Sequence, residues 1–441
     1  MNKTVLYYLL TISLLLGLYL EVGMQTFDIN RYGPYTSPIV WLAGGLLFCL
    51  SAFGMMRLRP AVLKSDVKTS FPIPSAALSY GLLAFGTYYI GQQLAPIFAQ
   101  NPSDPNASDI LPSLELYVRR WLGGEVVYKA MDFGGWTVNP TYFPLLWMPY
   151  AISELLQIDY RWTSYGVFIL AIILYNAVLL RQRRPLPEIL LKSAIPFFLL
   201  QYFLDFRPKV FIFSVELLPV GFYLILTLTT WHRKNWVMAI GILLCLLSRY
   251  AFTFWLPVYL LILWIERGFF PTLRTGLWVS LGVLLLYVLP FLSKDWSILG
   301  NGLKYYAKTA EGQWYPQPWQ KEGDVPFHLN QGLSFAMQFY SKTDYTIPDR
   351  LASNRKVHLT VCGLAALLIL GGYFLLRKRE LDIGLYLIIA LKFYILIFYG
   401  FFYVPFAYLY MLPLFLSLAV INRLPLFPPS LQALRGEKQT A

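Results

Sequence analysis

The segment SDILPSLELYVRRWLGGEVVY, Ser108 to Tyr128, sets a carboxylate, Asp109, ahead of a short helix-compatible run in an otherwise strongly apolar chain. A carboxylate placed there has two uses. As a helix N-cap it accepts a hydrogen bond from a backbone N–H of the first turn. As a general base it takes a proton from a hydroxyl held within hydrogen-bond reach. Residue type and place leave both open, the cap being the more ordinary role. Asp104, Glu115, Glu125 and Asp132 stand near it in the sequence, and Asp104 is the fallback base. One carboxylate suffices for a one-step displacement with inversion, whereas a retaining double displacement needs a second close by.

Cations come next, because a leaving group that develops negative charge is stabilised by fixed positive charge. Candidates are Arg207 and Lys209 in DFRPKVF, Arg249 in LLSRYAFTFW, Lys304 and His328. Each has a plain alternative, a side chain snorkelling to lipid headgroups. Arg249 stands out because apolar runs flank it on both sides. Glu216, in IFSVELLPVG, either faces the same hollow or pairs with Arg207 or Lys209. Lys392 falls inside the run IIALKFYILIF, where a charge costs at least about 2.5–3.5 kcal/mol. It therefore turns toward a cavity or lies outside the span. Metal binding has little support: His232, His328 and His358 are far apart, without HxH or HExxH spacing. Cys49, Cys245 and Cys362 each sit inside an apolar run, spaced neither for a metal nor for a bridge.

The elements that position these groups are membrane-length helices. The chain has 441 residues, 57% hydrophobic and 13% charged, against about 25% charged in soluble domains. Apolar runs long enough to cross a hydrocarbon core predict an all-α polytopic membrane protein with about twelve spans. They lie near 5–24, 38–56, 75–98, 163–180, 188–204, 210–230, 236–249, 251–265, 275–293, 357–376, 383–400 and 404–421. The first is read as a retained span, since no small-residue cleavage site follows it. The net charge of +13 is scattered at span ends, a topology signal rather than a nucleic-acid footprint. Basic clusters such as RLRPAVLKSDVK, RQRRP and RKRE alternate with Lys/Arg-poor connections, which places both termini in the cytoplasm.

Two long outer segments remain, about 99–160 and 293–356, rich in Trp, Tyr, Pro and Gly. Loops of that length usually work, and these two are expected to fold as one cap. In the first, Leu114, Tyr117, Val118, Trp121 and Leu122 share one helical face and Glu115 and Arg119 the other, which predicts an interfacial helix with its apolar side in lipid. Thr141 to Leu156, interrupted by Pro144 and Pro149, reads as a partial helix in the outer interface. No periodic internal repeat is visible.

Asp109, the helix after it, Gly123, Tyr128 and the YFPLLWMPY segment that begins at Tyr142 together resemble the first outer loop of the GT-C class of polyprenyl-phosphate-dependent glycosyltransferases. The nearest likeness is to the mannosyltransferase-like branch, glycosyltransferase family 87. The HLNQGLSFAMQF segment is similar to the family's NqSl element, with Gly332 where Ser is usual, and Arg249 sits where the family tends to have Lys. The resemblance covers about residues 75 to 421. It implies a GT-C module over 73–424, preceded by two additional helices and a cytoplasmic loop over 1–72 and followed by a cytoplasmic tail over 425–441. It further implies Asp109 as the catalytic base and Arg207, Lys209 and Arg249 as donor-phosphate ligands. Glu115, Tyr128, Tyr142, His328, Asn330 and Gln331 would line the sugar and acceptor site. The donor would be a hexose, such as mannose, on polyprenyl phosphate, the acceptor a lipid-linked or surface glycan. The place would be the outer face of a bacterial inner membrane, among membrane lipids and without nucleic acid. Some members of the class use a divalent cation and others do not. Two other readings stand beside it: a flippase for lipid-linked saccharides, which needs facing polar pairs at membrane depth, and a glycan polymerase or ligase relying on outer-loop arginines and a histidine.

Overall fold

In hydrocarbon every backbone N–H and C=O must find a partner inside the protein, and a run of Leu, Ile, Phe and Ala does so most simply as an α-helix. The computed structural model describes residues 3–26, 32–58, 73–134, 137–182, 184–317, 319–321, 323–378 and 381–426. Most of the expected tail and the connection 59–72 lie outside these. Among the described residues the only strands are Met131–Asp132 and Thr137–Val138, paired antiparallel; all other regular structure is helical.

In chain order the helices are α1 (Lys3–Thr26), α2 (Gly33–Leu58), α3 (Ile73–Gln100), α4 (Ile110–Leu122), α5 (Pro144–Trp147), α6 (Ala151–Leu156), α7 (Tyr160–Leu180) and α8 (Leu186–Phe206). Then come α9 (Lys209–Phe213), α10 (Leu217–Thr229), α11 (Asn235–Leu246), α12 (Trp255–Arg267), α13 (Phe269–Val283, continued as a π-helix to Leu292) and α14 (Ser297–Gly312). The last are α15 (Phe327–Gln331), α16 (Ala336–Tyr340), α17 (Ile347–Leu376), α18 (Ile383–Gly400) and α19 (Met411–Arg423). Among the described residues seven are long and apolar enough to cross a membrane: α1, α2, α7, α8, α13 with its π-helical extension, α17 and α18. Shorter apolar helices cover Leu217–Thr229, Asn235–Leu246 and Ala407–Arg423.

The expected edges shift where local chemistry differs from hydropathy. α17 starts at Ile347, not 357, because Thr346 caps it and Pro348 suits a first turn. The expected span 210–230 is broken at Ser214–Glu216, and 236–249 stops at Leu246. Non-helical backbone at such depth is tolerated where it is buried in protein or lines a cavity, and these two breaks carry Glu216 and Arg249.

α10 and α18 are buried nearly all round and form the centre of the bundle. α1 and α2 make a hairpin whose backbones meet at Gly17 and Gly44, where a Cβ on Gly17 would stand 2.6 Å from the Gly44 carbonyl oxygen. This hairpin is bound to the rest of the bundle rather than set apart from it. Lys392, fully buried in α18, is paired to both carboxylate oxygens of Glu21 at 2.8 and 2.9 Å and to the Pro413 carbonyl at 3.0 Å. That settles the mid-span lysine: it is a satisfied internal charge.

Both long segments gather at one end of the bundle. Phe335 N–H donates to the Gly400 carbonyl at 2.8 Å, Trp314 Nε1 to the Tyr403 carbonyl at 2.8 Å and Gln338 Nε2 to the Tyr35 carbonyl at 3.2 Å. At the opposite end Gln182 reaches Asn422 at 2.6 Å and Lys192 the Leu424 carbonyl at 2.6 Å.

Candidate functional site

Asp109 occupies the N-cap position of α4 but does not cap it: its side chain makes no capping bond. The ordinary role therefore falls away. Among the described residues no other side chain or backbone N–H donates to its carboxyl, which is exposed on one side to solvent. Protein walls crowd the other side, and this withdrawal from water raises the carboxyl above the usual aspartate range, its own backbone N–H opposing in part.

α4 buries Leu114, Tyr117 and Val118 completely. Most of the face expected in lipid instead packs on protein, with Tyr117 stacked on Trp147 at 5.6 Å, while Leu122 at its end stays exposed. The reason is the partial helix after it: Pro144 starts α5, a 3-10 turn follows over Met148–Tyr150, and α6 ends at Gln157 in a left-handed conformation. This folded-under segment supplies the apolar surface that lipid was expected to supply. Glu115 takes no part in the hollow; it belongs to a surface network with Arg119 (3.7 Å), which also reaches Glu154 (3.0 Å).

Tyr142 is placed from three directions. Its N–H donates to the Tyr117 hydroxyl at 3.3 Å, and its carbonyl accepts from the Tyr128 hydroxyl at 3.2 Å. On either side of it, Leu145 N–H donates to the Leu247 carbonyl at 2.9 Å and Tyr250 Oη to the Thr141 carbonyl at 3.0 Å. Those two bonds lash the Tyr142 segment to the break that carries Arg249. Burial, followed by the negative charge of Asp109, holds the Tyr142 phenol above its ordinary range.

Arg249 forms an ion pair with Glu216 through Nη2. A guanidinium stays protonated in proteins, so Arg249 is the cation of the pair. The pair is incompletely satisfied, since Arg249 Nε and Glu216 Oε1 are buried without a hydrogen-bond partner. Tyr142 and Tyr408 both lie within electrostatic reach of Asp109, Glu216 and Arg249. Asp109, Tyr142, Tyr408, Glu216 and Arg249 thus form one cluster at the end of the bundle where the long segments meet.

Not every expected member joins it. Arg207 is engaged with the Gln25 carbonyl at 3.1 Å, and Lys209 is exposed at the start of α9; neither is among the charges acting on Asp109, Tyr142 or Tyr408. Asp104 is spent on a turn, accepting from the Asn106 backbone at 2.9 Å and side chain at 3.0 Å, and Asp132 accepts from Gly134 N–H at 3.0 Å. His328 is no cation. It lies against Phe406 at 4.7 Å, and burial lowers its imidazole to about 4. Phe406 stacks on Tyr408 at 5.5 Å, so His328 flanks the cluster through that aromatic layer, and Asn330 and Gln331 follow it in α15. Gly332, where the resemblance leads one to expect Ser, abuts Pro405; a Cβ there would run into the proline ring and stand 2.8 Å from its carbonyl oxygen.

Two residues escaped the sequence reading. Tyr408 carries no motif. Arg161 is 2% exposed and pairs with Asp159, donating also to the carbonyls of Phe98 (3.0 Å), Asn101 (2.8 Å) and Ile212 (3.2 Å). It clamps the start of the first long segment to the stretch before Glu216, and the sequence IDYRW was its one available signal. Among the described residues no three His, Cys, Asp or Glu side chains converge in a metal-holding group. No family model, no curated protein and no solved structure matches this chain.

Proposed function

We propose that this protein is an integral-membrane glycosyltransferase of the GT-C type, transferring a hexose such as mannose from a polyprenyl-phosphate donor to a lipid-linked or surface glycan. One observation carries the reading: Asp109 is a solvent-open carboxylate, released from capping, in the same cluster as a half-buried arginine whose Nε is buried and unpaired. In the displacement, the acceptor hydroxyl gives its proton to Asp109 and its oxygen bonds to the anomeric carbon. The bond from that carbon to the phosphate oxygen breaks, and the phosphate leaves with the electron pair. Arg249 is the cation suited to that developing charge. The nearest second carboxylate in the cluster, Glu216, is engaged by Arg249, which favours single-step inversion over a covalent intermediate.

Adding α3, α10, α11, α12 and α19 to the seven long helices makes twelve crossings and brings both termini to the side of the basic connections. By the positive-inside rule that side is the cytoplasm, and Asp109 faces outward, in a bacterial inner membrane. Nucleotide sugars are absent there, so the donor is lipid-borne. A flippase reading is less well supported, because the buried charges Glu21–Lys392 and Glu188–Lys192 are closed on each other rather than open along a path.

The test is transfer from radiolabelled polyprenyl-phosphate hexoses by the purified chain in detergent. Asp109→Asn is expected to lower the rate by about 10²–10⁴ with the helical fold intact, while Asp104→Asn retains transfer. Full activity in Asp109→Asn would end the proposal.

A further inference from the structure

A cavity of about 70 Å³ opens where the two long segments meet. Tyr128, Asn139 and Pro140 line it from the first, Asp295, Asn301 and Tyr305 from the second. At about 10–15 Å³ per water it has room for about five waters, the scale of one sugar ring. Its polar groups are largely free for a ligand. Among the described residues, the Asn139 amide and the Tyr305 hydroxyl make no hydrogen bond. Asp295 uses Oδ1 on Ser297 N–H at 2.8 Å and keeps Oδ2. Asn301 uses Nδ2 on Ser297 Oγ at 3.0 Å and keeps its carbonyl oxygen.

That wall offers an amide donor, carboxylate and amide acceptors and a hydroxyl that does either, between tyrosine rings. Such a set fits adjacent hydroxyls, each of which donates and accepts. With no Lys or Arg in its lining, the cavity has nothing to hold a phosphate. Its place is informative too. Tyr128, one of its walls, donates to the carbonyl of Tyr142, whose phenol lies within electrostatic reach of Asp109. Tyr128 and Tyr142 thus link the cavity to the proposed base.

We infer that this cavity is a saccharide subsite holding the sugar unit next to the one that receives the new bond, so that the preferred acceptor is an oligosaccharide. The inference rests on the glycosyltransferase reading and names its acceptor class. The first sugar lies at Asp109 and the second at Asn139 and Asp295, with Tyr128 between them.

Titration calorimetry on the full chain in detergent tests it. The probes are methyl glycosides of mannose, glucose and galactose and the corresponding methyl disaccharides. In at least one series the disaccharide is expected to bind about tenfold more tightly, the worth of one or two net hydrogen bonds. Asn139→Ala and Asp295→Asn should each bring disaccharide affinity toward the monosaccharide level, with melting temperatures close to wild type. Asp109→Asn should retain the preference. Equal binding of both sizes in all three series, or a preference that survives both variants, overturns the subsite. That outcome leaves the transfer reading standing if Asp109→Asn still abolishes transfer, so the two failures are told apart.

Discussion

The Ser108 hydroxyl donates to the Phe213 carbonyl oxygen at 3.1 Å, tying the residue before Asp109 to the stretch that leads into Glu216. With the Arg161 clamp on Asn101 and Ile212, this bond sets how far the carboxylate stands from the Arg249–Glu216 pair. A neutral bond of this kind contributes about 1 kcal/mol. Ser108→Ala should therefore cost little stability, a melting shift of about 2 °C or less. Its effect on turnover should be larger, a fall in kcat of about tenfold, because misplacing a base slows the chemistry more than it loosens the fold. Paired melting curves and initial rates decide this, and an unchanged kcat would mean the tie does not position Asp109.

Asp109 itself yields a prediction of opposite sign for activity and stability. Loss of water raises its carboxyl above the ordinary 3.8. Between that value and the raised one, the native state holds a proton that the unfolded chain has released. Stability therefore falls as pH rises through this window and stays lowered above it. Asp109→Asn removes the penalty, so at pH 7 the variant should melt no lower than wild type while transfer collapses. A drop of several degrees would assign Asp109 to the fold instead. For wild type, transfer should decline on acidification with a midpoint above 3.8, since the base must be unprotonated to act.

The Arg249–Glu216 pair predicts non-additivity. Removing one partner of a buried pair strands the other charge, at a cost of about 3–5 kcal/mol. Arg249→Met and Glu216→Gln should each lower the melting temperature markedly, while the double variant recovers most of the loss without recovering transfer. Thermal melts of the four proteins form the cycle. A double variant as unstable as the sum of the single ones would show that the two side chains are not coupled.

Hydropathy made the seven long apolar helices among the described residues legible, because span length follows from bilayer thickness, while a cap at Thr346 and a break at Ser214 moved edges it could not foresee. Asp109 and Arg249 were legible as lone charges in apolar surroundings. Their partners were not. Glu216 meets Arg249, Glu21 meets Lys392 and Ser108 meets Phe213 only through tertiary packing; periodicity reports which face is apolar but not what covers it. The same gap misassigned the apolar face of α4 to lipid, when Trp147 and its neighbours cover it, and made His328 a cation before its burial could be seen. It also hid the polar cavity, whose walls at Asn139 and Asp295 sit in loops without a motif.

Gly332 is the position where likeness and packing disagree, and it can be tested directly. The proposed family reading puts Ser at this place in HLNQGLSF, so Gly332→Ser is mild on that reading. By geometry it is not. The added Cβ would meet the Pro405 ring and carbonyl, and Pro405 lies in the turn that leads through Phe406 to Tyr408. Overpacking at such a contact costs about 1–3 kcal/mol. Gly332→Ala, which adds the Cβ without the hydroxyl, should cost nearly as much as Gly332→Ser, because the clash belongs to the Cβ. Both variants should melt lower than wild type and transfer more slowly, since the turn that yields carries Tyr408 away from Asp109. Melting curves and rates for the two variants, compared with Pro405→Ala and with the double variant Gly332→Ala/Pro405→Ala, locate the contact. Stability restored in the double variant would place the strain at Pro405, and a Gly332→Ser protein as stable as wild type would show that the turn gives way freely.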